Sequence, residues 1–148
     1  MFGSGAKRPL PRSGGTGQGL MDEPTAANRS VLIVEDNEVT REGLATILRR
    51  HGYSTREAAN VGQAVEALRA DKPDLILLDM LLSGEGDDGW ALLDRLRRNP
   101  DWRSIPVVIV TGMGIACDEW GVSLGAQAVL RKPVDADELL LKVKNCCG

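Results

Sequence analysis

From residue 30 onward, short unbroken apolar runs alternate with stretches whose apolar residues recur at helical spacing. Val31-Leu32-Ile33-Val34, Leu75-Ile76-Leu77-Leu78 and the segment Ile105 to Thr111 are continuous rather than alternating, as in strands covered on both faces. A weaker strand is expected over Tyr53 to Glu57, and a fifth at Ala128-Val129-Leu130. Between the first two strands, Val39, Gly43, Leu44, Ile47 and Leu48 share one helical face, and Gly52 is placed to end that helix. Asn60 with Gln63 three residues on opens a second helix with Val61, Ala64, Val65 and Leu68 inward. Trp90, Leu93 and Leu96 mark a third helix, ending near Asn99-Pro100. Asp135 with Glu138 caps a last helix with Ala136, Leu139, Leu140 and Val143 inward. Between Gly112 and Gly125 the stripe Ile115, Ala116, Trp120, Val122 and Leu124 is imperfect and interrupted by Gly121, which specifies a fourth helix only weakly.

Five strands alternating with five helices imply a parallel sheet with helices on both faces, because parallel strands need crossovers and crossovers are right-handed. In such a doubly wound α/β fold, ligands sit outside the carboxyl ends of the strands, where the strand order reverses.

Composition adds boundaries. The 148 residues carry a net charge of -3, with 43% hydrophobic and 26% charged residues, which suits one soluble domain. No apolar run approaches the roughly 20 residues a bilayer needs, and no signal peptide opens the chain, so a cytoplasmic protein with no membrane insertion is expected. The mild acidity argues against direct nucleic-acid binding. Residues 1-28 hold 6 of the 17 glycines and 3 of the 7 prolines without hydrophobic period, and are expected to form a flexible tail preceding a domain over 29-148. Within the tail, Ser13 to Gly19 is glycine-rich but lacks both a preceding strand and a Gly-Lys-Ser/Thr ending, so it reads as linker rather than phosphate loop. Cys117, Cys146 and Cys147 suit reduced thiols better than a disulfide framework or a zinc site.

The chemistry-bearing residues gather at the strand ends. Strands one, three, four and five finish on Glu35-Asp36, Asp79, Thr111 and Lys132-Pro133. Any one of these acids suits a helix cap or a solvated loop, but their joint placement points to a single crevice. A like-charged pair at ~4 Å costs on the order of 4 kcal/mol at an effective dielectric near 20, so the three carboxylates call for cationic compensation. Lys132 offers one charge, and an oxygen-only, solvent-open site suits Mg²⁺ as the other.

These segments resemble a response-regulator receiver domain, the phospho-accepting module of two-component signalling. The resemblance spans residues 30 to 147 and rests on Val31-Leu32-Ile33-Val34-Glu35-Asp36-Asn37, Pro73 to Met80, Ile105 to Gly112, and Gly125-Ala126 followed by Leu130-Arg131-Lys132-Pro133. It implies a flavodoxin-like five-stranded parallel sheet of order 2-1-3-4-5. It further implies Asp79 as phosphoacceptor, with Glu35, Asp36, Asp79 and the Leu81 backbone carbonyl as Mg²⁺ ligands. Thr111 would supply the hydroxyl that follows the phosphoryl group, and Lys132 its charge partner. A cis Lys132-Pro133 bond is implied as well. The implied partners are a histidine kinase or histidine phosphotransfer protein and a downstream protein target, with the chain a monomer or weak homodimer.

The chain also departs from the family pattern. The loop Met80 to Asp88 is long and lacks the usual proline. It spells G-x-G-x-x-G with Gly84, Gly86 and Gly89, but Glu85, Asp87 and Asp88 would repel a pyrophosphate, so a dinucleotide site is not expected. Val129 occupies the position where the family commonly carries a switching Tyr or Phe. Leu81 and Met113, at the two positions that tune dephosphorylation, are apolar and cannot orient water, which predicts slow self-dephosphorylation. Trp90, Trp102 and Trp120 are expected as packing residues, and His51, the one histidine, as a helix-end residue.

The resulting expectation is a single-domain response regulator acting in trans, since only the last helix follows Lys132-Pro133. The alternative is a phosphorylation-independent interaction module that has kept the fold. A phosphatase using Asp79 transiently is disfavoured, because Leu81 stands where a second acid would be needed.

Overall fold

A computed structural model of the chain describes residues 29–82, 88–113 and 117–147. The expected tail over 1–28, the Gly84 and Gly86 part of the glycine pattern, and Ile115 and Ala116 of the fourth stripe lie outside the described residues.

Five strands, β1 (Ser30–Val34), β2 (Ser54–Ala58), β3 (Leu75–Asp79), β4 (Val107–Thr111) and β5 (Ala128–Arg131), form one sheet of order β2-β1-β3-β4-β5. Every neighbouring pair is parallel. The crossovers are helices α1 (Glu38–Arg50), α2 (Val61–Ala70), α3 (Gly89–Arg98) and α4 (Asp118–Ser123), and α5 (Ala136–Cys147) closes the fold. The order reverses between β1 and β3, which places a crevice at the carboxyl ends of these two strands.

The continuous apolar runs are explained by a core on each side of the sheet. Leu32, Val34, Ile76, Leu78, Val107, Ile109 and Val129 face the inward stripes of α2 and α3. Their sequence neighbours Val31, Ile33, Leu75, Leu77, Val108, Val110 and Leu130 face Leu44, Ala45 and Leu48 of α1 and Leu139 and Val143 of α5. The strand period of two thus feeds both cores from one run.

Local signals place the helix ends. The Asn37 side chain accepts the Thr40 N–H at 2.9 Å at the start of α1. Asn60 accepts the Gln63 N–H at 2.8 Å while Gln63 accepts the Ala59 N–H at 2.7 Å. Asp135 accepts the Glu138 N–H at 3.0 Å. Gly52 follows α1 with φ at 94°, in the left-handed region open to glycine.

Two helical faces differ from expectation. Val39 is 81% exposed and Gly43 is also exposed, so α1 packs through Leu44, Ala45 and Leu48 instead. Ala136 is exposed, leaving Leu139 and Val143 as the buried pair of α5. Val39 and Ala136 each sit in the first turn of their helix. Among the described residues, no helix is long and apolar enough to cross a membrane.

Candidate functional site

The carboxyl ends of β1, β3 and β5 bring Glu35, Asp36, Asp79 and Lys132 to one crevice of about 510 Å³, which Asn37, Leu81 and Gly112 also line. Carboxylate oxygens of Glu35, Asp36 and Asp79 lie within 4.8 Å of one another. Glu35 and Asp79 are almost wholly buried, at 1% and 3% exposure, and Asp36 is half-buried. Lys132 Nζ stands 2.9 Å from Glu35 Oε1 and 3.4 Å from Asp79 Oδ2.

Glu35 and Asp79 are held by backbone. Glu35 Oε2 accepts the Asn37 N–H at 3.1 Å, the Glu35 N–H donates to the Ala58 carbonyl at 3.0 Å, and Asp79 Oδ1 accepts the Leu81 N–H at 3.0 Å. Burial raises the Glu35 carboxyl above its ordinary range and Asp79 adds to the rise, against the lowering effects of Lys132 and the Asn37 N–H. For Lys132, burial pulls the ammonium down, but its contacts with Glu35 and Asp79 outweigh that and the pKa is raised. Lys132 thus stands between two buried carboxylates, Glu35 and Asp79, beside the half-buried Asp36.

The arrangement fits a divalent cation. Glu35 Oε1 is buried without a hydrogen-bond donor, because Lys132 approaches it as an ion pair and off the hydrogen-bonding direction. An oxygen-only set of three clustered carboxylates at a solvent-open mouth suits Mg²⁺ over softer metals.

Of the expected site residues, the crevice unites Glu35, Asp36, Asp79, Leu81 and Lys132. Thr111 is different. It is fully buried at the end of β4, and its Oγ1 accepts the Met113 N–H at 3.2 Å, so the hydroxyl is engaged by the segment leading to α4 rather than by the crevice. The Lys132-Pro133 bond is cis.

Two residues support the site in ways that sequence reasoning did not assign, and Arg41 was not singled out at all. Arg41 Nη1 donates to the Glu35 carbonyl at 2.9 Å while its Nε pairs with Glu57 at 3.2 Å, tying the acidic turn to β2. A basic residue one turn into the helix after the acidic pair is a faint signal for this. Gly89 opens α3 directly against the strand carrying Asp79. A Cβ there would stand 2.4 Å from the Asp79 carbonyl oxygen, so only glycine permits the approach. The place of Gly89 in a G-x-G-x-x-G pattern was not expected to mark a dinucleotide site, and its requirement in the structure is steric.

Trp90 and Trp120 pack edge to face with ring centroids 5.7 Å apart, joining α3 to α4, and Trp102 is half-buried against the core. The three cysteines are free thiols.

Comparison with known proteins agrees with this geometry. Residues 31–144 match the response regulator receiver domain model. The chain is 36% identical over 116 residues to protein PilH of Pseudomonas aeruginosa, covering 78% of this chain and 93% of PilH. It is 36% identical over 117 residues to the phosphate regulon transcriptional regulatory protein PhoB of Escherichia coli, covering 78% of this chain but only half of PhoB. The receiver domain of NtrX from Brucella abortus superposes with a TM-score of 0.71 at 34% identity, covering 79% of this chain and 97% of that one. With residues 31–144 matching the family model and a sheet of order β2-β1-β3-β4-β5, the chain belongs to the response regulator receiver domain family of two-component signalling.

Proposed function

We propose that this receiver domain accepts a phosphoryl group on Asp79 from a histidine kinase or histidine phosphotransfer protein and passes the change to a protein target in trans. The observation that carries this reading is the convergence of Glu35, Asp36, Asp79 and Lys132 on one crevice. An Asp79 oxygen attacks phosphorus, an O–P bond forms as the donor's P–N bond breaks, and the imidazole leaves with the electron pair. Glu35, Asp36, Asp79 and the Leu81 carbonyl would hold Mg²⁺, which would neutralise phosphoryl charge when bound. The Leu81 N–H orients the acceptor carboxylate, and Lys132 keeps a positive charge beside Asp79 Oδ2. Turning the Thr111 hydroxyl towards a phosphoryl oxygen releases the Met113 N–H, which couples acceptance to the segment before α4.

In this reading the domain is not an enzyme that turns over substrate. It undergoes Mg²⁺-dependent self-phosphorylation and slow self-dephosphorylation. The net charge of -3 disfavours direct nucleic-acid contact, and the domain works as a monomer or weak homodimer.

The test is intact mass after incubation with acetyl phosphate, with and without Mg²⁺, for the native chain and Asp79→Asn. One added phosphoryl group, Mg²⁺-dependent and absent from Asp79→Asn, is the expected result. No gain in the native chain would leave the phosphorylation-independent interaction module as the better account.

A further inference from the structure

Asp36 is carried by a three-residue turn, Glu35 to Asn37, that lies past the end of the sheet. The last residue of β1 in register with its neighbours is Val34, opposite Ala58 of β2 and Leu78 of β3. The Glu35 N–H makes one further bond, to the Ala58 carbonyl at 3.0 Å, and the Glu35 carbonyl lies beyond it. Arg41 of α1 takes up that carbonyl. Its Nη1 donates to the Glu35 carbonyl at 2.9 Å, and its own backbone N–H donates to the Asn37 carbonyl at 2.9 Å. One residue thus grips the turn on both sides of Asp36.

The guanidinium is itself held from β2. Its Nε donates to Glu57 Oε1 at 3.2 Å. Arg49, two turns further along α1, approaches Glu57 Oε2 at 3.8 Å and donates to Thr55 Oγ1 at 3.0 Å. With only 17% of its side chain exposed, Arg41 is a packed strut between β2 and the acidic turn. The planar guanidinium suits this task, because Nη1 and Nε point at two different acceptors at once, which a lysine ammonium on a flexible stem does not reproduce.

Two opposite effects on a cation meet in this residue. Charge alone sets Arg41 against the cation, since a positive group beside the turn repels a second one. Geometry acts the other way. Mg²⁺ tolerates little departure from octahedral coordination at about 2.0 to 2.1 Å, and groups that fix the ligands from outside typically contribute about 10- to 100-fold in metal affinity. The oxygens of Glu35, Asp36 and Asp79 lie within 4.8 Å of one another, so a small displacement of the turn spoils the set. Resting on the Mg²⁺ reading above, we propose that Arg41 is a positioning residue for the cation site: by gripping the Glu35 and Asn37 carbonyls it holds Glu35 and Asp36 against Asp79, and this gain in geometry exceeds its repulsion of the cation.

The test is NMR titration of the full chain with MgCl₂, followed at the Asn37 and Leu81 amides that donate to Glu35 and Asp79, alongside urea unfolding without metal. Arg41→Lys keeps the charge and loses the fork, so any loss of affinity in it is geometric, and about tenfold is expected. Arg41→Met is also expected to bind about tenfold more weakly, although removal of its charge alone would strengthen binding. A role confined to docking α1 on β2 would lower the urea midpoint of both variants and leave their Mg²⁺ affinity native. That result, or tighter binding by Arg41→Met, would overturn the proposal. If Arg41→Met does not fold by circular dichroism, Arg41→Lys decides, with native affinity overturning the role and weaker binding supporting it. A native chain that binds no Mg²⁺ would overturn the cation reading and the role of Arg41 with it, which is distinct from native binding with unchanged variants, where the role alone falls.

Discussion

Gly121 of α4 and Val129 of β5 are packed so closely that the glycine cannot acquire a side chain without displacing the valine, since the added carbon would lie 2.5 Å from Val129 Cγ2. Val129 is buried and β-branched, with little freedom to rotate aside.

Gly121→Ala should therefore overpack this contact. The overpacking costs about 1 to 3 kcal/mol, against about 1 kcal/mol gained in helix propensity, so net destabilisation of up to about 2 kcal/mol is expected in urea unfolding. Adding Val129→Ala makes room for the methyl group, and a double-mutant cycle should show a favourable coupling of about 1 kcal/mol. Independent, additive effects would mean that the two residues do not constrain each other.

On the proposed reading, slow phosphoryl loss is the outcome expected from the apolar character of Leu81 and Met113. Leu81 is 55% exposed at the rim of the crevice, so Leu81→Asn adds an amide where water approaches without disturbing the core. One new hydrogen bond to the attacking water, worth about 1 kcal/mol, is about fivefold in rate. Decay of the acetyl-phosphate-charged protein, followed by intact mass, should quicken by that factor. A native half-life of seconds in Mg²⁺ would contradict the premise.

Asp118 supplies a pH-dependent contribution to stability. Its native pKa lies below the ordinary value because it accepts the Val129 N–H, with Lys142 adding a smaller lowering against the opposing effect of burial. Its stabilisation is full above about pH 4, the ordinary aspartate range, and is lost as pH falls through the lower native value. The stability gap between the native chain and Asp118→Asn, measured by urea unfolding, should be present at neutral pH and close in acid. A gap that widens on acidification would reverse the assigned sign.

The cysteines should separate by reactivity. Cys117 is exposed, whereas Cys146 and Cys147 are half-buried, and burial first of all pushes Cys147 up to about 11. The thiolate is the reactive form, so maleimide at neutral pH should label Cys117 well before the adjacent pair. Peptide mapping that found Cys147 labelled first would show that the end of α5 opens in solution.

The layered sheet was legible in the sequence because its signals are local. Unbroken apolar runs at Val31 to Val34, Leu75 to Leu78 and Val107 to Val110 can be satisfied only by cores on both faces, and Asn60-Gln63 and Asp135-Glu138 write their caps within four residues. The alternation of elements implied parallel strands, and the resemblance to receiver domains supplied their order, so the acids at the strand ends could be assigned to one crevice before any coordinates. The tertiary structure alone decided what no spacing encodes: that Gly89 makes room for the Asp79 backbone, that Arg41 braces Glu35, that the Thr111 hydroxyl is engaged by Met113, and that Asp118 and Lys142 meet over Val129. Those contacts join residues whose proximity depends on how far each helix slides along the sheet, a matter of close packing between distant segments. The same packing left Val39 and Ala136 in solvent, since helical period marks a face but not how much of it the sheet reaches.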